Sequence, residues 1–232
     1  MIWNLFNSTN IYADLLALLI ALPALLFSLS CHEYAHGFAA YKQGDHMAKS
    51  LGRLTLNPFK HIDPLGALSM LLIGFGWAKP VPINPSNFKD GKKSMLIVSL
   101  AGVVTNMFLA LVAMFLLYFA RYMMPNVWFS SETMYFIYLI LYQMLEYLVM
   151  LNCALAIFNL MPVPPLDGYN VVKTLVANHK NMNFFWNVER YQTYILIGFL
   201  LISNRIGIID GLSLRLEMLL TNLMKIIFSA FM

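Results

Sequence analysis

Long apolar runs limit this chain before any single residue is considered. A membrane-crossing helix needs about 20 mostly apolar residues. Residues 11–41, 94–120 and 134–161 each reach that length. A fourth run, 191–204, is short, and the tail 206–232 is apolar but carries Asp210, Arg215, Glu217 and Lys225. That tail reads either as a span or as a helix lying in the interface. Of 232 residues, 60% are hydrophobic and 11% charged, where an ordinary soluble domain has roughly 25% charged. A soluble globule cannot hide so much apolar surface. The same composition excludes a disordered tail and a secreted disulfide scaffold. A net charge of +4 from so few charged side chains is too sparse for a nucleic-acid module. The expected fold is an all-α polytopic membrane protein of about 4–6 transmembrane helices.

Residues 65–77 are apolar but too short to cross. Pro64 and Pro80 bound them, and Gly66, Gly74 and Gly76 lie within. A short re-entrant or β-hairpin segment between the first and second spans is the better reading. The basic residues agree. If 65–77 does not cross, Lys42, Lys49, Arg53, Lys60, Lys79, Lys89, Lys92, Lys93, Lys173, Lys180 and Arg190 share one side. The positive-inside rule makes that side cytosolic and the location an inner or plasma membrane. Arg121 stands alone on the other side. The start has no basic n-region and no small-residue cleavage site, which argues against a cleaved signal peptide.

Inside the first run stands His32-Glu33-Tyr34-Ala35-His36, the pattern H-E-x-x-H on an expected helix. Positions i and i+4 share a helix face, so both imidazoles reach one metal, and Glu33 sits beside them as acid–base candidate. Chance gives about 0.002 such matches at this composition, so coincidence is set aside. Two core histidines with satisfied hydrogen bonds are the plain alternative. Against it, ionisable groups within a membrane span are costly and by default functional. His32 lies about 27 Å along the helix from Asp14 at 1.5 Å per residue, toward the cytosolic end. Cys31 adjoins His32 but points about 100° away, which makes it a poor ligand.

A catalytic zinc usually takes three protein ligands. Asp45, His46, His61, Asp63, Glu146 and Asp167 are the candidates for the third. Asp167 is the most persuasive. It closes Asn159-Leu160-Met161-Pro162-Val163-Pro164-Pro165-Leu166-Asp167-Gly168, where the prolines end the third helix. A carboxylate there lies at the depth expected for the histidines. An ordinary turn aspartate is the alternative.

These two motifs together resemble the site-2 protease family of intramembrane zinc metalloproteases. Gly52-Arg53-Leu54-Thr55-Leu56-Asn57-Pro58, His61-Ile62-Asp63-Pro64, Trp77-Ala78-Lys79-Pro80-Val81-Pro82 and Ser99-Leu100-Ala101-Gly102…Asn106 resemble its small bacterial and archaeal members without a PDZ domain. The likeness covers roughly residues 25–175, in order. Val103 stands where such relatives often have proline. The resemblance implies one zinc ion on His32, His36 and Asp167. It also implies a metalloendopeptidase that cuts transmembrane or membrane-proximal segments with Glu33 as general base and acid. It suggests Asn159 as an oxyanion donor. A single domain over 1–232 is expected, its catalytic core at about 11–175 and C-terminal helices at about 184–232.

Water has to reach such a site, and His61, Asn57, Asn106 and Asp63 could line its path. Asn106 and His61 are candidate substrate residues on the same grounds. Residues 51–56 and 81–84 read as short strands, whose edge could capture an unwound peptide. Glu146 has no assigned role. The partners implied are the bilayer and a membrane-spanning protein substrate, with no nucleic acid and with homo-oligomerisation left open. A metal-linked transporter fits less well, because no internal repeat with paired broken helices is visible. A silent zinc-binding protein is the other alternative, against which all four motif residues are intact.

Overall fold

The computed structural model describes residues 10–73, 76–123 and 131–229. Three long helices make its frame: α1 (Ile11–Lys42), α4 (Gly91–Met123) and α5 (Glu132–Leu160). Each is long and apolar enough to cross a membrane. Between them lie α2 (Met47–Ser50) and α3 (Pro64–Ile73). After them come α6 (Asp167–Val176), α7 (Met182–Arg190), α8 (Gln192–Ile206) and α9 (Ile208–Ser229). The pair α8 and α9 qualifies as a span only when taken together, and it bends by 64°. Gly207 makes the bend with φ +68°, a left-handed conformation that costs glycine little. Among the described residues the span count is therefore three, or four with the bent pair, and four is the low end of the expected range.

Local signals explain the helix ends. Asn10 caps α1 by accepting from the Ala13 N–H at 3.2 Å, and Ser131 caps α5 by accepting from Met134 at 3.3 Å. Helix α1 continues through Pro23. It stops at Gly44, whose φ is +109° and where a Cβ would lie 2.9 Å from the Asn87 carbonyl.

Helix α4 packs against both α5 and α1, and α6 lies against α4. One core joins Ala110, Ala113, Met114 and Leu117 of α4 to Val149 and Cys153 of α5 and to Met224 and Phe228 of α9. Lipid is as apolar as leucine, so helices in it associate through close packing and polar contacts. Small residues serve the first purpose, with Ala24, Ala40, Ala110 and Ala156 almost fully buried. Buried Ser28, Asn106 and Asn152 serve the second.

The expected strands at 51–56 and 81–84 are not formed. Among the described residues there is a single isolated antiparallel bridge, Ile62 to Ala78. Pro80, Pro82 and Pro85 lack the N–H groups a ladder needs. Helix α3 has ten residues, about 15 Å of rise against a 30 Å core. Residues 74–75 of the expected re-entrant segment lie outside the described residues.

Candidate metal centre

His32 and His36 stand one turn apart on α1 with ring centroids 4.6 Å apart. Their Nε2 atoms approach to 3.0 Å. Asp167, the first residue of α6, brings Oδ2 to 3.4 Å from His32 Nε2 and 3.2 Å from His36 Nε2. The three residues form a group whose ligand atoms all lie within 4.8 Å of one another. The chain must approach closely to build this. At Gly168 a Cβ would meet the Leu160 carbonyl oxygen at 2.1 Å, so only glycine lets the loop fold back under α5. At Gly102 of α4 a Cβ would strike both imidazoles.

Hydrogen bonds decide which ring nitrogens face the centre. His36 Nδ1 lies 2.8 Å from the Val98 carbonyl, which only accepts, so Nδ1 carries the proton. His32 Nδ1 lies 2.5 Å from Asn106 Oδ1, and the same logic applies. In the neutral rings both Nε2 atoms then present lone pairs to each other. Asp167 Oδ2 joins them, buried and without a hydrogen bond. Three electron-pair donors held together with no proton between them repel, and a cation removes the repulsion. Two imidazoles and one carboxylate are a donor set that suits zinc. As a ligand Asp167 must be ionised, the ordinary state of an aspartate at neutral pH.

A family model described as Peptidase family M50 matches residues 20–203. The chain belongs to Peptidase family M50. It is 43% identical over 152 residues to "Putative zinc metalloprotease YwhC" of Bacillus subtilis, covering 66% of this chain and 67% of that one. It is 31% identical over 164 residues to "Putative zinc metalloprotease Rip2" of Mycobacterium tuberculosis, covering 68% of this chain and 57% of Rip2. The Rip2 of Mycolicibacterium smegmatis is 29% identical over 160 residues, covering 67% of this chain and 56% of Rip2. The chain thus spans a little over half the length of Rip2. No solved structure matches it. Family membership and the apolar helices make this an integral membrane protein of a zinc metalloprotease family.

The other motif residues of this M50 chain are placed as follows. Glu33 is only partly buried, and its Oε2 accepts the Val81 N–H at 2.8 Å. Val81 belongs to an extended segment after α3, in which Arg53 Nη2 donates to the Lys79 carbonyl at 2.7 Å and to that of Pro80 at 3.2 Å. Asn159 uses its amide to donate to the Leu155 carbonyl of its own helix at 3.0 Å.

Asn106 is fully buried, with its Oδ1 against His32 Nδ1. His61 is buried and lies apart from the donor group, its Nε2 donating to the Thr55 carbonyl at 2.7 Å. Asp63 caps α3 by accepting from Leu65 and Gly66, and Asn57 caps the turn at Pro58–Lys60. Asp45 is buried and accepts from Met47, Asn84 and Asn87. His46 stacks edge-on against Tyr41. Asp45, His46, His61, Asp63 and Glu146 are absent from the donor group. Sequence reasoning missed the contacts behind the ligands: the Val98 carbonyl, Asn152 and Ser28. Polar residues within apolar runs were the available signal.

Proposed function

We propose that this chain is an intramembrane zinc metalloendopeptidase of the site-2 protease type, which hydrolyses transmembrane or membrane-proximal peptide segments. The observation that carries the reading is the convergence of His32 Nε2, His36 Nε2 and Asp167 Oδ2 within one donor group. These residues would hold one zinc ion. Bound zinc supplies Lewis-acid polarisation of the scissile carbonyl and acidifies water. Glu33 takes the proton of the attacking water and returns it to the leaving amine nitrogen. Its bond from the Val81 N–H holds one carboxylate oxygen, Oε2, in place, and Oε1 does the transfer. Asn159 gives one N–H to its own helix, and its other N–H serves the tetrahedral oxyanion.

The depth of the site supports the substrate class. His32 and His36 lie two-thirds or more of the way along α1, within a helix long enough to cross. The basic residues that follow α1, together with Lys173 in α6 and Lys180 after it, support a cytosolic facing for this end, in an inner or plasma membrane. Helix α3, too short to cross, fits a re-entrant element between the first two spans. The catalytic core takes up 11–175, and the C-terminal helices from 184 onward complete a single domain.

The test is zinc stoichiometry of the detergent-purified protein beside His36→Ala and Asp167→Ala. About one zinc per chain in the parent, lost or much weakened in both variants, is the expected result. A folded parent without zinc after supplementation refutes the reading. Zinc retained in Asp167→Ala refutes the third ligand.

A further inference from the structure

We propose that Asn152 is a positioning residue for the metal centre, which sets the tautomer of His32 through Asn106. The inference rests on the zinc reading above and extends it to a residue two side chains removed from the donor atoms.

Leu148 O can only accept, and Asn152 lies 2.8 Å from it, so the group facing it is the amide Nδ2. Ser28 of α1 gives its hydroxyl proton to the Ala24 carbonyl at 2.7 Å. Its oxygen is left to accept the second Nδ2 hydrogen of Asn152 at 2.8 Å. Both amide hydrogens are then committed, and Asn152 Oδ1 has one orientation. It accepts from Asn106 Nδ2 at 2.7 Å. That contact turns Asn106 Oδ1 toward His32 Nδ1, at 2.5 Å. An oxygen there requires Nδ1–H, which leaves the Nε2 lone pair facing Asp167. The relay is anchored in the Leu148 backbone carbonyl, which cannot flip.

Removing the anchor undoes the sequence of constraints. An amide is nearly symmetric in shape, so Asn106 without Asn152 can turn its NH2 toward His32. Nδ1 would then accept, Nε2 would carry the proton, and the ring would lose its ligand atom. Ser28, Asn106 and Asn152 are each fully buried, so no water reorients the relay. The three residues come from α1, α4 and α5, so the relay also ties the three spans at the depth of the ligands.

The experiment uses the full chain in detergent, with zinc as the probe and a competing chromophoric chelator as the readout. Circular dichroism checks folding. Asn152→Leu, similar in volume but unable to donate or accept, should weaken zinc by about 10- to 100-fold, the usual effect of losing an outer partner of a ligand. In an Asn106→Asp background either carboxylate oxygen accepts from Nδ1, whichever way the group turns. There Asn152→Leu should change affinity by less than about threefold. A packing role would weaken both backgrounds equally, and that result overturns the proposal, as does parent affinity in Asn152→Leu. A measurement on the parent alone covers the case of a variant that fails to fold. In metal-free protein at alkaline pH, the nitrogen-15 shifts of His32 should show Nδ1 protonated and Nε2 bare. The reverse pattern overturns the proposal. A folded parent that binds no zinc refutes the metal reading and this inference with it, whereas a zinc-binding parent indifferent to Asn152 refutes the inference alone.

Discussion

A methyl group added at Gly102 would sit 2.4 Å from His32 Cε1, 2.4 Å from His36 Nε2 and 2.7 Å from His32 Nδ1. Ordinary contact at a Cβ begins at 3.4 Å, so two rings would each have to withdraw by about 1 Å. Ligand distances tolerate about 0.2 Å. Either α4 moves away from α1 or the imidazoles leave the positions that converge on Asp167. Overpacking of this kind costs about 1–3 kcal/mol. If that strain is relieved once the rings are free to part, zinc affinity in Gly102→Ala falls by about 5- to 150-fold at 1.4 kcal/mol per decade. The assay is chelator competition in detergent, with circular dichroism to establish that the helices persist. Gly198→Ala is the control: nothing lies within 4 Å of a Cβ there, so affinity should not change. A folded Gly102→Ala protein that binds zinc within about twofold of the parent would refute the donor geometry.

Glu33→Gln should retain its zinc yet lose about 10²- to 10⁴-fold in cleavage of a membrane-spanning peptide in proteoliposomes; loss of the metal as well would contradict a purely acid–base role. Gly168→Ala places a Cβ 2.1 Å from the Leu160 carbonyl oxygen and 2.6 Å from that of Met161. Backbone cannot give way there, so its zinc content should fall to that of Asp167→Ala. Asp45 is raised by burial and lowered more by the Asn84 N–H, the Asn87 amide, the Met47 N–H and the charge of His46, so folding holds it below its ordinary value. Its contribution to stability is complete above the unfolded value of about 3.9 and is lost as pH falls through the folded value. Thermal melts should therefore show a steeper acid decline in the parent than in Asp45→Asn, and identical acid limbs would count against it. Arg53→Ala frees the Lys79 and Pro80 carbonyls; it should shift the pH profile of cleavage while zinc affinity stays within about threefold of the parent.

What was legible in the sequence depended on how local the signal was. The three long spans were read to within about three residues, because an apolar run and its caps are properties of one segment. The histidine pair was legible for the same reason, since a spacing of four puts two side chains on one helix face. Asp167 was favoured by its place where the prolines end the third helix, and the family likeness strengthened it, because no local rule says where a loop after α5 meets α1. The contacts behind the ligands were out of reach, although the polar residues themselves stood out within apolar runs. Asn106, Asn152 and Ser28 meet only because α1, α4 and α5 are rotated to face one another, and helix rotation is not written in any one helix. Asn106 stood out in the sequence as a candidate channel or substrate residue, and its contact with His32 became visible only in the fold. The expected strand at 81–84 does not form, since Pro82 within it and Pro80 and Pro85 beside it lack the N–H groups a ladder needs.

The two parts of the proposed chemistry are held in different ways, and their substitutions should separate accordingly. The imidazoles are aimed from within the bilayer depth by Val98 and Asn106, both on α4. Stripping a buried partner there leaves an unsatisfied group and costs about 1–3 kcal/mol, so that wall is stiff. Glu33 is aimed from outside the helices by a single N–H of Val81, whose neighbours Pro80 and Pro82 have none to offer. That segment is itself held by side chains far from the donor atoms. Arg53 takes its Lys79 and Pro80 carbonyls, and Asp45 takes the Asn84 N–H at 2.7 Å. Metal affinity is thus a property of helix packing, and the setting of the acid–base group is a property of two loop anchors. Changes at Gly102, Asn106 and Asn152 should register in zinc binding, and changes at Arg53 and Asp45 in the behaviour of Glu33.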